Sequence, residues 1–210
     1  MPIQSCLAGD ELIGADPCHD FVDAQRHFSL GRPVIVCDTV AGEQLADVCI
    51  AAEHLDVALT AFLVEHTCGL IVATVDVATS DRLAFPLLHA DLERDAGRFC
   101  VAVDAISVST GISARDRAET ISQIADPGAT ASDFTRPGHV VPVVTGGVFA
   151  LSRWSRYDAA AALSRSIGLS GVVAAATLVD GITSATDRYI ETFAHRHRLP
   201  VVTASSLRAL

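Results

Sequence analysis

Short, nearly unbroken apolar runs constrain this chain more than any other feature. PVIVCD (33–38), GLIVATVD (69–76), HVVPVVTG (139–146) and GVVAAATLV (171–179) are rich in β-branched valine and are flanked by Gly, Pro or Asp. Runs of this length and composition read as strands, that at 139–146 interrupted by Pro142. RFCVAVDAI (98–106) reads the same way, and PVVTASSLRAL supplies a last strand and turn. Helical spacing marks FVDAQRHFSL (21–30), DVALTAFLVEHT (56–67), SARDRAETISQIAD (113–126), RYDAAAALSRSIGL (156–169) and TDRYIETFAHRHR (187–198). The first of these ends at Gly31, the fourth at Gly168, and Ser113 sits at the N-cap of the third. SDRLAFPLL holds a helical turn closed by Pro86, and EQLADVCIAAEHL (43–55) fits either a strand or a helix. Strands and helices alternate, with the strands in uneven groups. That order predicts an α/β (α+β) fold, a mixed sheet flanked by helices. With 210 residues and no repeat, linker or low-complexity tract, one domain over 1–210 is expected.

Composition narrows the function classes. Half of the residues are hydrophobic, enough for a sizeable core, and the formal net charge of -10 argues against nucleic-acid binding. All 15 basic residues are arginine, which excludes Schiff-base, lysine-base and P-loop chemistry. Cys6, Cys18, Cys37, Cys49, Cys68 and Cys100 form no C-x-x-C pair, so they are expected to be mostly small core residues of a reduced, cytoplasmic protein. The opening MPIQSCLAGDELIGAD is acidic and lacks a long apolar run, so no signal peptide is expected, and no run of ~18 apolar residues predicts a membrane span.

Four clusters carry candidate chemistry. TGISARDRAET (110–120) is a glycine turn feeding a helix, where the hydroxyls of Thr110 and Ser113 and free backbone N–H groups suit an anion. The alternative is a capped helix with Asp116 and Arg117 as solvated charges. RPGHVVPV (136–143) sets His139 before a strand, either as a general base or acid or as a hydrogen-bonded strand residue. CDTVAGEQLAD (37–47) holds Asp38, Glu43 and Asp47. In a helix Glu43 and Asp47 would share a face, and such carboxylates suit Mg²⁺; the alternative is an exposed acidic loop. SRWSRYDAAAAL (152–163) crowds Arg153, Trp154, Arg156 and Tyr157 at a helix start, as an anion site would.

Taken in order, FCVAVDAISVSTGISARDRAETI, DFTRPGHVVPV and GGV followed by Arg153 resemble the 3,4-dihydroxy-2-butanone 4-phosphate synthase family, over nearly the whole chain. The resemblance implies a homodimer with residues of both subunits near the active site. It also implies a Mg²⁺-dependent reaction taking ribulose 5-phosphate to formate and a four-carbon phosphorylated ketone. Several family positions differ. The family's acidic loop D-D-x-D-R-E-N-E-G-D stands here as DTVAGEQLAD: Asp38, Glu43 and Asp47 match, Glu43 on a metal ligand. The substrate arginine is Gly42 and the second glutamate is Leu45. Where the family has R-x-G-H-T-E-A, Arg153 is kept, the metal-binding histidine is Arg156, the phosphate-binding threonine is Tyr157 and the glutamate is Asp158. The essential glutamate of a later C-E-I motif aligns with Ala175. The essential histidine is kept as His139, together with Asp104, Thr110, Ser113, Asp116 and Arg117.

Three readings follow. The first is a divergent enzyme of specialised metabolism that does not make the riboflavin precursor and acts on a small polar or anionic substrate. In it His139, Glu43, Asp47 and Asp104 are catalytic, and Arg153, Arg156, Tyr157, Asp158, Thr110, Ser113 and Arg117 bind the substrate or its anionic groups. The second is a non-catalytic paralogue that binds or scaffolds a partner; the third is a genuine synthase. No cofactor is expected, and Mg²⁺ only if the family metal site persists through Glu43. Arg156 is expected to replace the metal's charge, pairing with Glu43 or with the substrate, or else to point into solvent. The alanine-rich helix 157–167 is expected to offer packing surface to a homodimer partner; no nucleic acid and no membrane are expected as partners.

Overall fold

The structure, a computed structural model, describes residues 17–88 and 98–208. The acidic opening and Cys6 therefore lie outside the described residues. Seven strands form one mixed sheet in the order β4-β5-β3-β6-β2-β1-β9, with β1 at Val34–Val40, β2 at Glu43–Ala51, β3 at Val72–Asp76, β4 at Val103–Ala105, β5 at Phe134–Thr145, β6 at Val173–Thr177 and β9 at Val201–Thr203. A separate hairpin joins β7 (Val179–Asp180) to β8 (Thr183–Ser184). β3 runs parallel to β5 and β1 parallel to β9; the other pairings in the large sheet are antiparallel.

The apolar runs are nearly continuous because both faces of the sheet are covered. On one face Ile35, Val48, Ile50, Ala73, Val75 and Ala174 pack with Leu63 of α2 (Val57–His66), Ile121 and Ile124 of α4 (Ala114–Ala125), and Phe193 of α7 (Asp187–His197). On the other, Val34, Val36, Cys49, Val72, Val143, Val173 and Ala175 pack with Phe28 of α1 (Pro17–Ser29) and Ala159, Ala160 and Leu163 of α6 (Arg156–Ser166). Burying a leucine such as Leu163 contributes about 1.5–3 kcal/mol. The alanines of α6 lie flush against this chain's own sheet, Ala159, Ala160 and Ala161 being fully buried. The expectation that they offer a surface to a partner is therefore corrected. Two short helices, α3 (Val77–Arg82) and α5 (Gly147–Ser152), follow the C-terminal ends of the parallel strands β3 and β5.

Three expectations about elements change. The ambiguous segment 43–55 is a strand to Ala51, because it closes a hairpin on β1 through the two-residue turn Ala41-Gly42 with both φ angles positive. RFCVAVDAI is a strand only over Val103–Ala105, preceded by isolated bridges Leu87↔Cys100 and Phe99↔Val143. Pro142 does not interrupt β5, which begins at Phe134 and pairs Pro142 with Ala73.

β4 and β5 approach so closely that a Cβ on Gly138 would lie 2.0 Å from the carbonyl carbon of Val103 and 2.3 Å from the amide nitrogen of Asp104. Gly138→Ala is therefore expected to lower stability by about 1–3 kcal/mol, read as a fall in the urea midpoint.

Cys37, Cys49 and Cys100 are buried, as the expectation of mostly core cysteines has it, while Cys68 is exposed. Burial pushes the Cys37 thiol up to about 12, with Asp47 adding to the shift, and the Cys100 thiol up to about 11. Both stay protonated at pH 8, so a thiol reagent should modify Cys68 in the native protein and reach Cys37 and Cys100 only after unfolding. Because these folded-state values are raised, their contribution to stability is full below the ordinary thiol value, about 8.5. It is lost as pH rises beyond that, which a pH series of melting curves measures.

Candidate active site

The TGISA turn and the PGH segment meet at one point. The backbone N–H of His139 donates to Asp104 Oδ1 at 2.9 Å, and His139 Nδ1 lies 2.8 Å from Asp104 Oδ2. A carboxylate only accepts, so Nδ1 carries a hydrogen toward Asp104, and Nε2 is the ring nitrogen left to face a ligand. The imidazole is 38% exposed and the carboxylate 10%. The imidazole is thus held in place by a carboxylate and open on one side. Gly111 closes the other side: a Cβ there would fall 1.9 Å from Asp104 Oδ2 and 2.7 Å from His139 Nδ1.

The turn is rigid for reasons its sequence carries. Ser113 caps α4 by accepting from the Asp116 N–H. Asp116 in return accepts from Ser109 Oγ and the Gly111 N–H, both at 3.0 Å. Desolvation pushes its carboxyl up, but the hydrogen bonds from Ser109, Gly111, Ser113 and Thr110 outweigh that and hold it below the usual carboxylate range. Thr120 ties α4 to β4 by accepting from the Ala105 N–H at 3.0 Å. Arg117 donates to the Gly69 carbonyl at 2.8 Å; burial lowers its pKa while the nearby Asp104 opposes the shift. Asp116 and Arg117 are thus buried, not solvated charges. The Ser113 oxygen is committed to its own helix, whereas Thr110 is exposed beside the dyad.

A second group gathers where α6 begins over the β1–β2 hairpin. Arg156 Nε donates to Asp47 Oδ2 at 2.7 Å, its Nη2 donates to the Tyr157 hydroxyl at 2.6 Å, and its guanidinium carbon stands 4.3 Å from the Tyr157 ring centre. Arg153 Nη2 donates to Asp38 Oδ2 at 3.0 Å, and the Arg156 N–H reaches the same oxygen at 3.3 Å. Trp154 donates to the Ala204 carbonyl at 2.7 Å. Asp158 is not open to a ligand: its carboxylate accepts from Arg98, Ser155 and the Gly146 N–H. Arg98 is a residue that periodicity gave no means of finding. It is 2% exposed and donates to Asp158 at 2.7 Å, to Ser155 at 2.9 Å and to the Arg153 carbonyl at 3.0 Å.

Glu43 joins neither group. It is exposed at the start of β2, opposite Val40. It shares a strand face with Asp47, not a helix face, and four residues of strand separate them by about 13 Å. The expected Glu43–Arg156 pair is therefore corrected to Asp47–Arg156. The Mg²⁺ implied by the resemblance does not fit these residues: Glu43 is remote from Asp47, and Arg156 presents a cation where the family has a ligand. Among the described residues, no three His, Cys, Asp or Glu side chains converge for a metal. In the sheet β3 and β6 lie between β5, which carries His139, and β2, which carries Asp47. The two groups are thus about 14 Å apart within one chain. Ala175 is fully buried beneath α6 and offers no acid.

The sequence model of the 3,4-dihydroxy-2-butanone 4-phosphate synthases matches residues 22–210. The riboflavin biosynthesis protein RibBA of Salinispora tropica is 41% identical over 190 residues, covering 88% of this chain and 47% of the relative. That of Mycobacterium ulcerans is 39% identical over 185 residues, covering 84% and 43%. The chain spans about half the length of these curated relatives. Among solved structures, the 3,4-dihydroxy-2-butanone 4-phosphate synthase of Candida albicans superposes with a TM-score of 0.79 at 27% identity, covering 89% of this chain and 94% of that one. A synthase in complex with two magnesium ions gives 0.78 at 32% identity, covering 90% and 94%. No helix among the described residues is long and apolar enough to cross a membrane.

Asp158→Ala should leave Arg98 buried without its carboxylate. The expected loss is about 3–5 kcal/mol, measured by chemical denaturation.

Proposed function

The chain belongs to the 3,4-dihydroxy-2-butanone 4-phosphate synthase family, and from that premise we propose that it is a divergent, synthase-like enzyme. It acts on a small polar or anionic substrate by acid–base chemistry, in specialised metabolism rather than in making the riboflavin precursor. One observation carries this reading: His139 and Asp104 are hydrogen-bonded as a dyad, while Arg156, which stands where the resemblance implies a metal-binding histidine, is paired with Asp47. His139 Nε2 takes a proton from the substrate and returns it. Asp104 fixes the ring's tautomer and stabilises the imidazolium formed on the way. Thr110 is exposed beside the dyad, with its hydroxyl available to a substrate, and Arg153, a third exposed, holds the anionic group, with Arg156 behind it as a fixed charge paired with Asp47. The separation of about 14 Å between dyad and arginines supports a homodimer, with the dyad of one protomer facing the arginines of its partner.

A second reading, a genuine synthase releasing formate from ribulose 5-phosphate, is favoured by the names of the relatives. One assay separates the two: ribulose 5-phosphate and Mg²⁺ are supplied and formate is measured. The expected rate is at least about 100-fold below that of a working family member, since losing one transition-state donor alone costs about that much. A comparable rate establishes the second reading instead. His139→Asn, which hydrogen-bonds but cannot titrate, should lower turnover of the true substrate by about 10²–10⁴-fold. Unchanged turnover would make His139 structural.

A further inference from the structure

The ion-pair group around Arg156 bears on cation binding whatever the substrate is. That bearing rests on the reading that this group forms the family's substrate site. Asp47 is 1% exposed and each of its oxygens already accepts a hydrogen bond: Oδ2 from Arg156 Nε at 2.7 Å, Oδ1 from the Thr177 hydroxyl at 2.7 Å. Asp38 Oδ2 is spent on Arg153 and on the Arg156 N–H. Arg156 itself is 8% exposed and lies against the Tyr157 ring. Burial works against its charge, yet Asp47, Tyr157 and Asp38 hold its pKa above the usual arginine value, so it is a permanent cation. A divalent ion entering here would meet a fixed guanidinium, and it would have to compete with the hydrogen bonds that Asp47 Oδ1, Asp47 Oδ2 and Asp38 Oδ2 already accept. Mg²⁺ needs several oxygen ligands in near-octahedral array and gives up its water reluctantly.

We propose that this chain has closed the divalent-cation site of its scaffold with an internal ion-pair network, Arg156–Asp47 and Arg153–Asp38, and that Arg156 is the lock. The positive charge is covalent, so the protein folds and binds its substrate without a divalent ion. Arg156→His removes the guanidinium, frees Asp47 Oδ2 and restores an imidazole, the side chain that the family has at this position.

Mn²⁺ serves as the probe, its free signal followed by electron paramagnetic resonance as protein is added, with circular dichroism confirming the fold. Wild type should leave the Mn²⁺ signal unchanged, and its melting temperature should not differ between EDTA and excess Mg²⁺. The folded Arg156→His variant should take up Mn²⁺ and gain in melting temperature with it, by mass action on the native state. Stoichiometric Mn²⁺ uptake by wild type, reversed by EDTA, overturns the proposal; so does a folded Arg156→His variant that binds no more Mn²⁺ than wild type. The wild-type arm stands even if the variant fails to fold. Neither arm needs turnover, so failure here is distinguishable from failure of the formate assay.

Discussion

The contact on which the site depends is the buried pair between Arg98 and Asp158, 2.7 Å apart and almost wholly withdrawn from water. Such a pair is not a large net source of stability, because desolvating both ions offsets most of the attraction. Its consequence is geometric. Arg98 joins the segment ahead of β4 to the first turn of α6, and one guanidinium holds Ser155, Asp158 and the Arg153 carbonyl at once. The same Asp158 closes a capping box with Ser155 and accepts from Gly146, where β5 ends. The start of α6 is thereby fixed, and with it the points from which Arg153 and Arg156 reach the hairpin.

The arginine group is a chain of matched charges rather than an open patch. Arg156 meets Asp47, Arg153 meets Asp38, and Arg98 meets Asp158. A residue-by-residue reading sees Arg156 as a lost ligand and Asp158 as a shortened glutamate. In three dimensions each is half of a pair whose other half sits on another element. The dyad at the β4–β5 edge is organised differently: Asp104 and His139 pair with each other, the imidazole is partly open, and Gly111 packs closely against both. One group is closed by buried ion pairs and the other is left accessible.

Much of the fold is legible in the chain itself. The valine-rich runs become β1, β3, β5 and β6, and Ser113 caps α4 as its residue type and position indicate. Legibility fails where distant contacts outvote local pattern. Residues 43–51 have a spacing that fits two periods, and only pairing with Val34–Val40 makes them a strand. Asp116 and Arg117 look like surface charges on a polar helix, yet the turn folds over the first and Gly69 receives the second. The alanines of α6 suggest an exposed packing face; their small size is what lets the helix settle onto its own sheet.

The sequence by itself determined the alternation of strands and helices, the capped α4, and the retention of His139 and Asp104 beside altered neighbours. These are local properties: side-chain period, cap chemistry, residue identity at a position. Only the tertiary structure decided which carboxylate Arg156 would meet, that Glu43 would stand apart, and that Arg98 would enter the site at all. Those outcomes rest on strand register and on charges far apart in the chain, 109 positions for Arg156 and Asp47 and 60 for Arg98 and Asp158. A buried ion must find a partner, because the energy of leaving it unpaired in a low-dielectric interior is too high. Which partner it finds is settled only when the sheet brings them together.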